Sequence, residues 1–212
     1  MPNSNSLSRR AHGAGGEPLA SLLMARTLAQ PELVSLAAGF VDHATLPVEL
    51  TGDALREIWS DATNARATLQ YGSNAGYPPL RQQILDRLLR ADALPAATAR
   101  PGIEQVVVTA GSNELLYLVS DTLLDPGDIV LCGSPTYYVF LGTLGNLGAM
   151  AVGVDIDQAG LIPEALEDRL ATIQRQGELS RVKLIYLTSS FDNPTGLTLP
   201  ADRQVLSKRV AE

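Results

Sequence analysis

Apolar positions along this 212-residue chain fall into two regimes. Up to about residue 100 they recur every three or four residues. Leu19, Leu22, Leu23 and Met24 cluster on one side of a helix predicted over 18–30, which Pro31 ends. Leu33 to Leu36 is a short strand candidate that breaks at Gly39. Leu55, Ile58, Trp59 and Ala62 predict a second helix over 48–64. Residues 69–77 are rich in turn formers. Pro78 and Pro79 then open a helix whose Leu80, Ile84, Leu85, Leu88 and Leu89 make one stripe.

From Gln105 onward the pattern changes. Short runs of Val, Ile and Leu, apolar on both faces, alternate with helical periods. Strands are predicted at 106–108, 129–131, 150–154 and 182–187, and helices at 114–124, 137–147, 163–176 and from 200 onward. This alternation is the signature of α/β architecture with a mostly parallel sheet covered by helices. Arg203, Val205, Leu206, Val210 and Ala211 are still in helical register at Glu212, without a glycine cap. The chain is therefore expected to stop inside a structural unit.

Composition narrows the function classes. Hydrophobic residues make up 45% and charged residues 18%, enough for a large core. The net charge of -7 argues against a nucleic-acid or anionic-membrane surface, which would need clustered Lys and Arg. The one cysteine, Cys132, sits in an apolar run and reads as a small buried residue; one cysteine allows no disulfide within the chain and no cysteine metal cluster. Residues 1–16 read as a flexible polar tail without the apolar stretch of a signal peptide, and no run approaches the roughly 18 residues of a membrane helix. A cytoplasmic protein that binds no metal is the expectation. His12 and His43 are isolated and read as surface or loop residues.

In parallel α/β sheets ligands bind beyond the carboxyl ends of the strands, so the strand-to-helix turns carry the candidate chemistry. After 106–108 comes Thr109-Ala110-Gly111-Ser112-Asn113. Glycine lets backbone approach closely, and Ser and Asn at a helix start leave free amides beside side-chain donors, which together make an anion site. The same residues also read as a plain helix cap. After 129–132 comes Gly133-Ser134-Pro135-Thr136-Tyr137, where Tyr137 could stack on a flat heteroaromatic ring or simply pack on the sheet. After 184–187 comes a turn ending in Asn193-Pro194-Thr195-Gly196, ordinary turn chemistry in an unusual place. Ser134-Pro135 and Asn193-Pro194 are candidates for cis peptide bonds.

In this order and spacing, Gly111-Ser112-Asn113, Pro135-Thr136-Tyr137 and Asn193-Pro194-Thr195-Gly196 resemble class I/II aminotransferases of pyridoxal-phosphate (PLP) fold type I. The flavour is that of the α-aminoadipate, kynurenine and multi-substrate aminotransferases. Leu36-Ala37-Ala38-Gly39-Phe40 and Leu69-Gln70-Tyr71-Gly72 look like two further landmarks of that group, so the likeness runs from about residue 18 to the end. It implies a three-layer fold with PLP as cofactor, and amino-group transfer between an amino acid and a 2-oxo acid. It also implies an organisation: a 1–16 flexible tail, 17–50 as an N-terminal arm or small-domain segment, and 51–212 as an incomplete large PLP-binding domain, ending before the C-terminal small domain.

Residue by residue, the resemblance implies that Ser112 and the amides of Gly111 to Asn113 hold the PLP phosphate. Tyr137 would stack on the pyridine ring, and Asn193 would bond its phenolic oxygen. Tyr71 would reach the phosphate of the neighbouring subunit in a homodimer, and Gly39 would lie beside the substrate carboxylate. Asn113 stands where the family commonly has Gln, and Ala38 where Gly is frequent. The Schiff-base lysine, an aspartate for the pyridine nitrogen and an arginine for the substrate carboxylate would all lie beyond Glu212, so no catalytic residue is assigned and the chain by itself is expected to be inactive. Its two lysines are poor substitutes: Lys183 begins a strand, roughly 15–20 Å from the crevice, and Lys208 lies on the polar side of the last helix. Other readings are a non-catalytic module that binds PLP or another phosphorylated ligand, a dimerisation module, or a lyase or synthase of the same fold.

Overall fold

A computed structural model of the chain describes residues 19–30, 32–34, 41–91 and 100–211. Helix α1, Leu19–Ala29, comes first. The chain divides into two compact units, residues 30–111 and residues 1–29 with 112–212.

In the 30–111 unit the helix expected over 48–64 is two helices. Helix α2 covers Val48–Ser60 and α3 covers Ala62–Thr68. Asp61 between them is extended at φ −117°, ψ 118°, and its carboxylate accepts the Thr63 amide at 2.7 Å. A short acidic side chain that bonds its own backbone competes with helix and caps a new one, while the apolar stripe runs on past the break. Of the residues expected as a strand from Leu33, Leu33 and Val34 join no ladder among the described residues, the Leu33 amide donating to the Gln30 carbonyl at 2.9 Å instead, and the rest of that segment lies outside the described residues.

Helix α4, Pro78–Ala91, follows, with Leu85 buried. Its Arg81 donates from Nε to the Val106 carbonyl at 2.7 Å and from Nη2 to the Ile103 carbonyl at 2.6 Å. The Val108 amide donates to the Ala75 carbonyl at 2.9 Å. Residues 106–108, expected as a strand, join no ladder among the described residues, although Val106 is extended. Side-chain and loop partners take the bonds that strand neighbours would otherwise make. Gly76 permits this: its φ is +101°, and a Cβ there would lie 2.7 Å from the Val108 Cβ.

The other unit carries the sheet. Helix α5 (Gly111–Leu123) opens it, followed by β1 (Ile129–Ser134), α6 (Tyr138–Leu147), β2 (Met150–Asp157), β3 (Gly160–Leu161), α7 (Pro163–Arg175), β4 (Val182–Tyr186) and α8 (Ala201–Ala211). The strand order is β3-β2-β1-β4. Strand β1 pairs in parallel with β2 and with β4, while β3 folds back antiparallel on β2. The parallel core was legible in the sequence; the β2–β3 hairpin at its edge was not.

Strand β1 feeds two cores. Ile129 and Leu131 point to one side, among Val154, Leu161, Leu166, Ile173 and Leu199, so that α7 covers that face. Val130 and Cys132 point to the other, among Leu124, Phe140 and Leu144, so that α5 and α6 cover it. Period-two alternation on a strand buried on both faces requires every residue to be apolar, and Ile129 to Cys132 all are.

Two guanidinium groups clip the ends of the sheet. Arg181, just before β4, donates from Nε to the Gly127 carbonyl at 2.8 Å and pairs with Glu178. Arg203 on α8 grips both carboxylate oxygens of Asp157, at 2.6 and 2.7 Å, where β2 turns into β3. This fork holds the Asp157 carboxyl below the usual aspartate range, with the Arg203 bond the largest cause and the Ala159 amide the next.

Two outcomes follow for stability. Gly76→Ala adds backbone strain and a clash with Val108, and is expected to destabilise by about 2–4 kcal/mol in urea unfolding. Because the folded Asp157 is the stronger acid, its ionised form contributes stability above the unfolded-state value and loses it as pH falls through the lower folded value. The stability gap between the wild type and Asp157→Asn should therefore be flat near neutrality and close below about pH 4, as followed by urea midpoints across pH.

Candidate functional site

The carboxyl end of β1 is where the sequence-predicted groups gather. Gly111 starts α5 with φ +82°, and its amide bonds back to the Thr109 carbonyl at 2.8 Å. A Cβ there would meet nothing within 4 Å, so it is the left-handed backbone and not space that calls for glycine. Ser112 and Asn113 occupy the first turn of α5, exposed. Amides in a first helical turn have no partner within their own helix, and the macrodipole makes that end positive. Ser112 adds a hydroxyl to this end.

Tyr137 sits between the end of β1 and the start of α6, where it takes the N-cap position. Its carbonyl accepts the Phe140 amide at 3.1 Å, and its side chain packs against the Val130, Cys132 and Phe140 core. Its hydroxyl donates to the Asn113 Oδ1 at 3.2 Å. The first and second candidate turns are therefore in direct contact, and one aromatic face stands beside a helix start rich in donors.

The third turn comes after β4. Residues 188–199 form a closed loop. The Asp192 amide donates to the Leu197 carbonyl at 2.8 Å and the Leu199 amide to the Ser189 carbonyl at 2.9 Å. The Thr195 hydroxyl donates to the Asp192 carboxylate at 2.8 Å and accepts the Leu197 amide at 3.2 Å. Phe191 is held at φ 51°, unusual for a bulky residue, with its amide donating to the Thr198 hydroxyl at 3.2 Å. Asn193 lies on the exposed side of this loop. Both expected X–Pro bonds, Ser134-Pro135 and Asn193-Pro194, are cis.

The second and third turns meet in a different way. Pro135 and Thr136 of the β1 turn share a cleft of about 30 Å³ with Tyr186, Thr188, Asp192 and Thr195. That is room for one or two waters and not for an aromatic ring. It joins the two turns; a ring would have to sit above it. Tyr186, Thr188 and Asp192 were not singled out as site residues from the sequence. Their signal was position alone, as the last strand residue and those just beyond it.

The remaining expectations separate. Tyr71 belongs to the 30–111 unit and is 99% exposed. Gly39 lies outside the described residues. Lys183 is the second residue of β4, exposed, at the end of the strand opposite the 188–199 loop. Burial pushes the Cys132 thiol up to about 11, so it stays protonated and inert at neutral pH. Among the described residues no group of His, Cys, Asp and Glu could hold a metal ion, and no helix is long and apolar enough to cross a membrane.

Comparison with known proteins matches this arrangement to a family. The sequence model of the family described as Aminotransferase class I and II matches residues 31–205. Aromatic-amino-acid aminotransferase 1 of Thermococcus litoralis is 28% identical over 205 residues, covering 97% of this chain and 46% of that protein. The 2-aminoadipate transaminase of Thermus thermophilus is 31% identical over 179 residues, covering 84% and 40%. The crystal structure of Pyrococcus horikoshii kynurenine aminotransferase, solved in complex with PMP, superposes with a TM-score of 0.83 at 28% identity, covering 98% of this chain and 48% of that one. The chain spans about half the length of the relatives it matches.

Thr195→Val keeps the side-chain shape but removes a hydroxyl bonded on both sides. It is expected to cost on the order of 1–2 kcal/mol and to speed amide hydrogen exchange at Leu197 above that of the strands.

Proposed function

The chain belongs to the class I and II aminotransferases, and from that premise we propose that it builds the cofactor cradle of an enzyme that moves an amino group between an amino acid and a 2-oxo acid. Fold type I is its architecture and pyridoxal phosphate is the cofactor of its family. The observation that carries the reading is the meeting of turns at the carboxyl end of β1: Tyr137 bonded to Asn113, and the Pro135–Thr136 turn sharing a cleft with the 188–199 loop.

The donor set suits a phosphorylated pyridine. Backbone amides at a positive helix end, with the Ser112 hydroxyl, would hold the phosphate. The Tyr137 ring would stack on the pyridine, and the Asn193 carboxamide would donate to the oxygen on the ring. When bound, the cofactor supplies the electron-withdrawing ring that amino-group chemistry needs. Within the chain, the residues' work is to bind it, fix its plane and keep its ring oxygen hydrogen-bonded.

The partner and substrate assignments belong to the same proposal. Tyr71, fully exposed, would reach the phosphate site of a second copy in a homodimer. Gly39 would border the substrate carboxylate. We place the covalent lysine, the aspartate for the ring nitrogen and the arginine for the carboxylate outside these 212 residues. Lys183 stands at the far end of β4 and Lys208 on α8, and the relatives are about twice as long. By itself the chain would bind the cofactor without turning over amino acids. A cytoplasmic location fits its composition and its buried free thiol.

The test is cofactor binding, followed by PLP fluorescence and absorbance. Ser112→Ala, Tyr137→Ala and Asn193→Ala should each weaken PLP binding about tenfold or more, as expected for a lost bond to a charged group or a lost stacking face. Affinities equal to that of the wild type in all three would sink the assignment.

A further inference from the structure

We propose that Asn113 is a positioning residue for Tyr137, and that this pair couples the phosphate cup to the ring platform so that the two act as one subsite. The proposal rests on the cofactor reading above and adds to it a residue whose side chain works through another.

The backbone of Tyr137 has little freedom. It lies between the last residues of β1 and the first turn of α6, with its carbonyl bonded to the Phe140 amide at 3.1 Å. One part of its side chain is packed in the core beside Val130, Cys132 and Phe140. What remains adjustable is the tilt of the ring, set by two torsions. Its neighbour Tyr138 is tilted 51° with ring centroids 5.9 Å apart, a contact too loose to define that tilt. The bond from its hydroxyl to the Asn113 Oδ1, at 3.2 Å, acts at the far tip of the ring, where the lever arm is longest.

The acceptor is carried on a fixed backbone. Asn113 is the third residue of α5, so its Cα is set by the helix, and its carboxamide has only two torsions of its own. Its backbone amide belongs to the donor-rich helix start, while its side chain holds the aromatic platform. One residue thus serves both halves of the site. An anion that draws the helix start toward itself also moves the ring, and a ring that tilts to stack moves the helix start. A ligand carrying both a phosphate and a flat heteroaromatic ring engages the coupled pair; phosphate alone or ring alone engages half of it.

The test needs a readout that does not depend on PLP. In the ligand-free protein with 13C at the tyrosine Cζ, the Tyr137 resonance is identified by its loss in Tyr137→Phe. Asn113→Ala should shift that resonance, whereas Leu115→Ala, an exposed change on the same helix, should not. Inorganic phosphate should move the Tyr137 resonance of the wild type and leave that of Asn113→Ala in place. With PLP, Asn113→Ala and Tyr137→Phe should each weaken binding about three- to tenfold, and the double variant no more than either one. A Tyr137 signal indifferent to Asn113→Ala, or binding losses that add in the double variant, would overturn the coupling. A shifted signal in a protein that binds no PLP would uphold the pair and overturn the cofactor reading instead.

Discussion

Strand β1 has no solvent-facing side, and the rest of the sheet unit follows from that. Its alternate residues enter two different cores, one closed by α7 and the other by α5 and α6. It has parallel neighbours on both edges, β2 along its whole length and β4 from Ile129 to Cys132. Such a strand ends only where the chain leaves the core, so every turn at its carboxyl end becomes a place where backbone and polar side chains are released together. Burial of Ile129 to Cys132 thus fixes the strand from whose carboxyl end the candidate turn leaves.

Specific polar contacts then fix what burial leaves open. At the entry end of the sheet Arg181 ties the start of β4 to the Gly127 carbonyl before β1. At the other end Arg203 holds the β2–β3 corner through Asp157. Both are partly solvated contacts, so each contributes modestly to stability, but each removes a sliding motion that apolar packing tolerates. Nearer the site the same division holds. The core holds the base of Tyr137, and a single hydrogen bond to Asn113 sets its outer edge. The 188–199 loop is closed by its own hydroxyl, carboxylate and amide bonds, which is how it keeps Phe191 in a left-handed conformation.

The functional reading is therefore of a cradle made from turns, with the helices and strands serving to bring the turns level. The chain belongs to the class I and II aminotransferases, whose cofactor class the proposed cradle would take, and it spans about half the length of the relatives it matches. In the proposed reading, phosphate cup, ring platform and ring-oxygen donor come from turns at Asn113, Tyr137 and Asn193, 24 and 56 residues apart in sequence, so it is the sheet that brings them level.

By itself the sequence determined the elements whose period is local and strong. Helices over 19–29, 78–91 and 163–175 and the strands from Ile129, Met150 and Val182 begin and end near where their apolar spacing says, because burial of one face or both is written into consecutive residues. The three candidate turns were legible for the same reason, being what lies between such runs. Tertiary structure decided pairing and contact. Val106 to Val108 have a strand's composition, yet their bonds go to Arg81 and Ala75. Asp61 split a helix whose stripe continued unbroken. The β3 strand of two residues was too short to carry a period. The meeting of Asn113 with Tyr137, twenty-four residues apart, depends on how α5 and α6 pack on one face of β1. Hydrophobic periodicity reports which side of an element is buried; it carries no record of which neighbour completes a hydrogen bond, and that is settled only when the layers close.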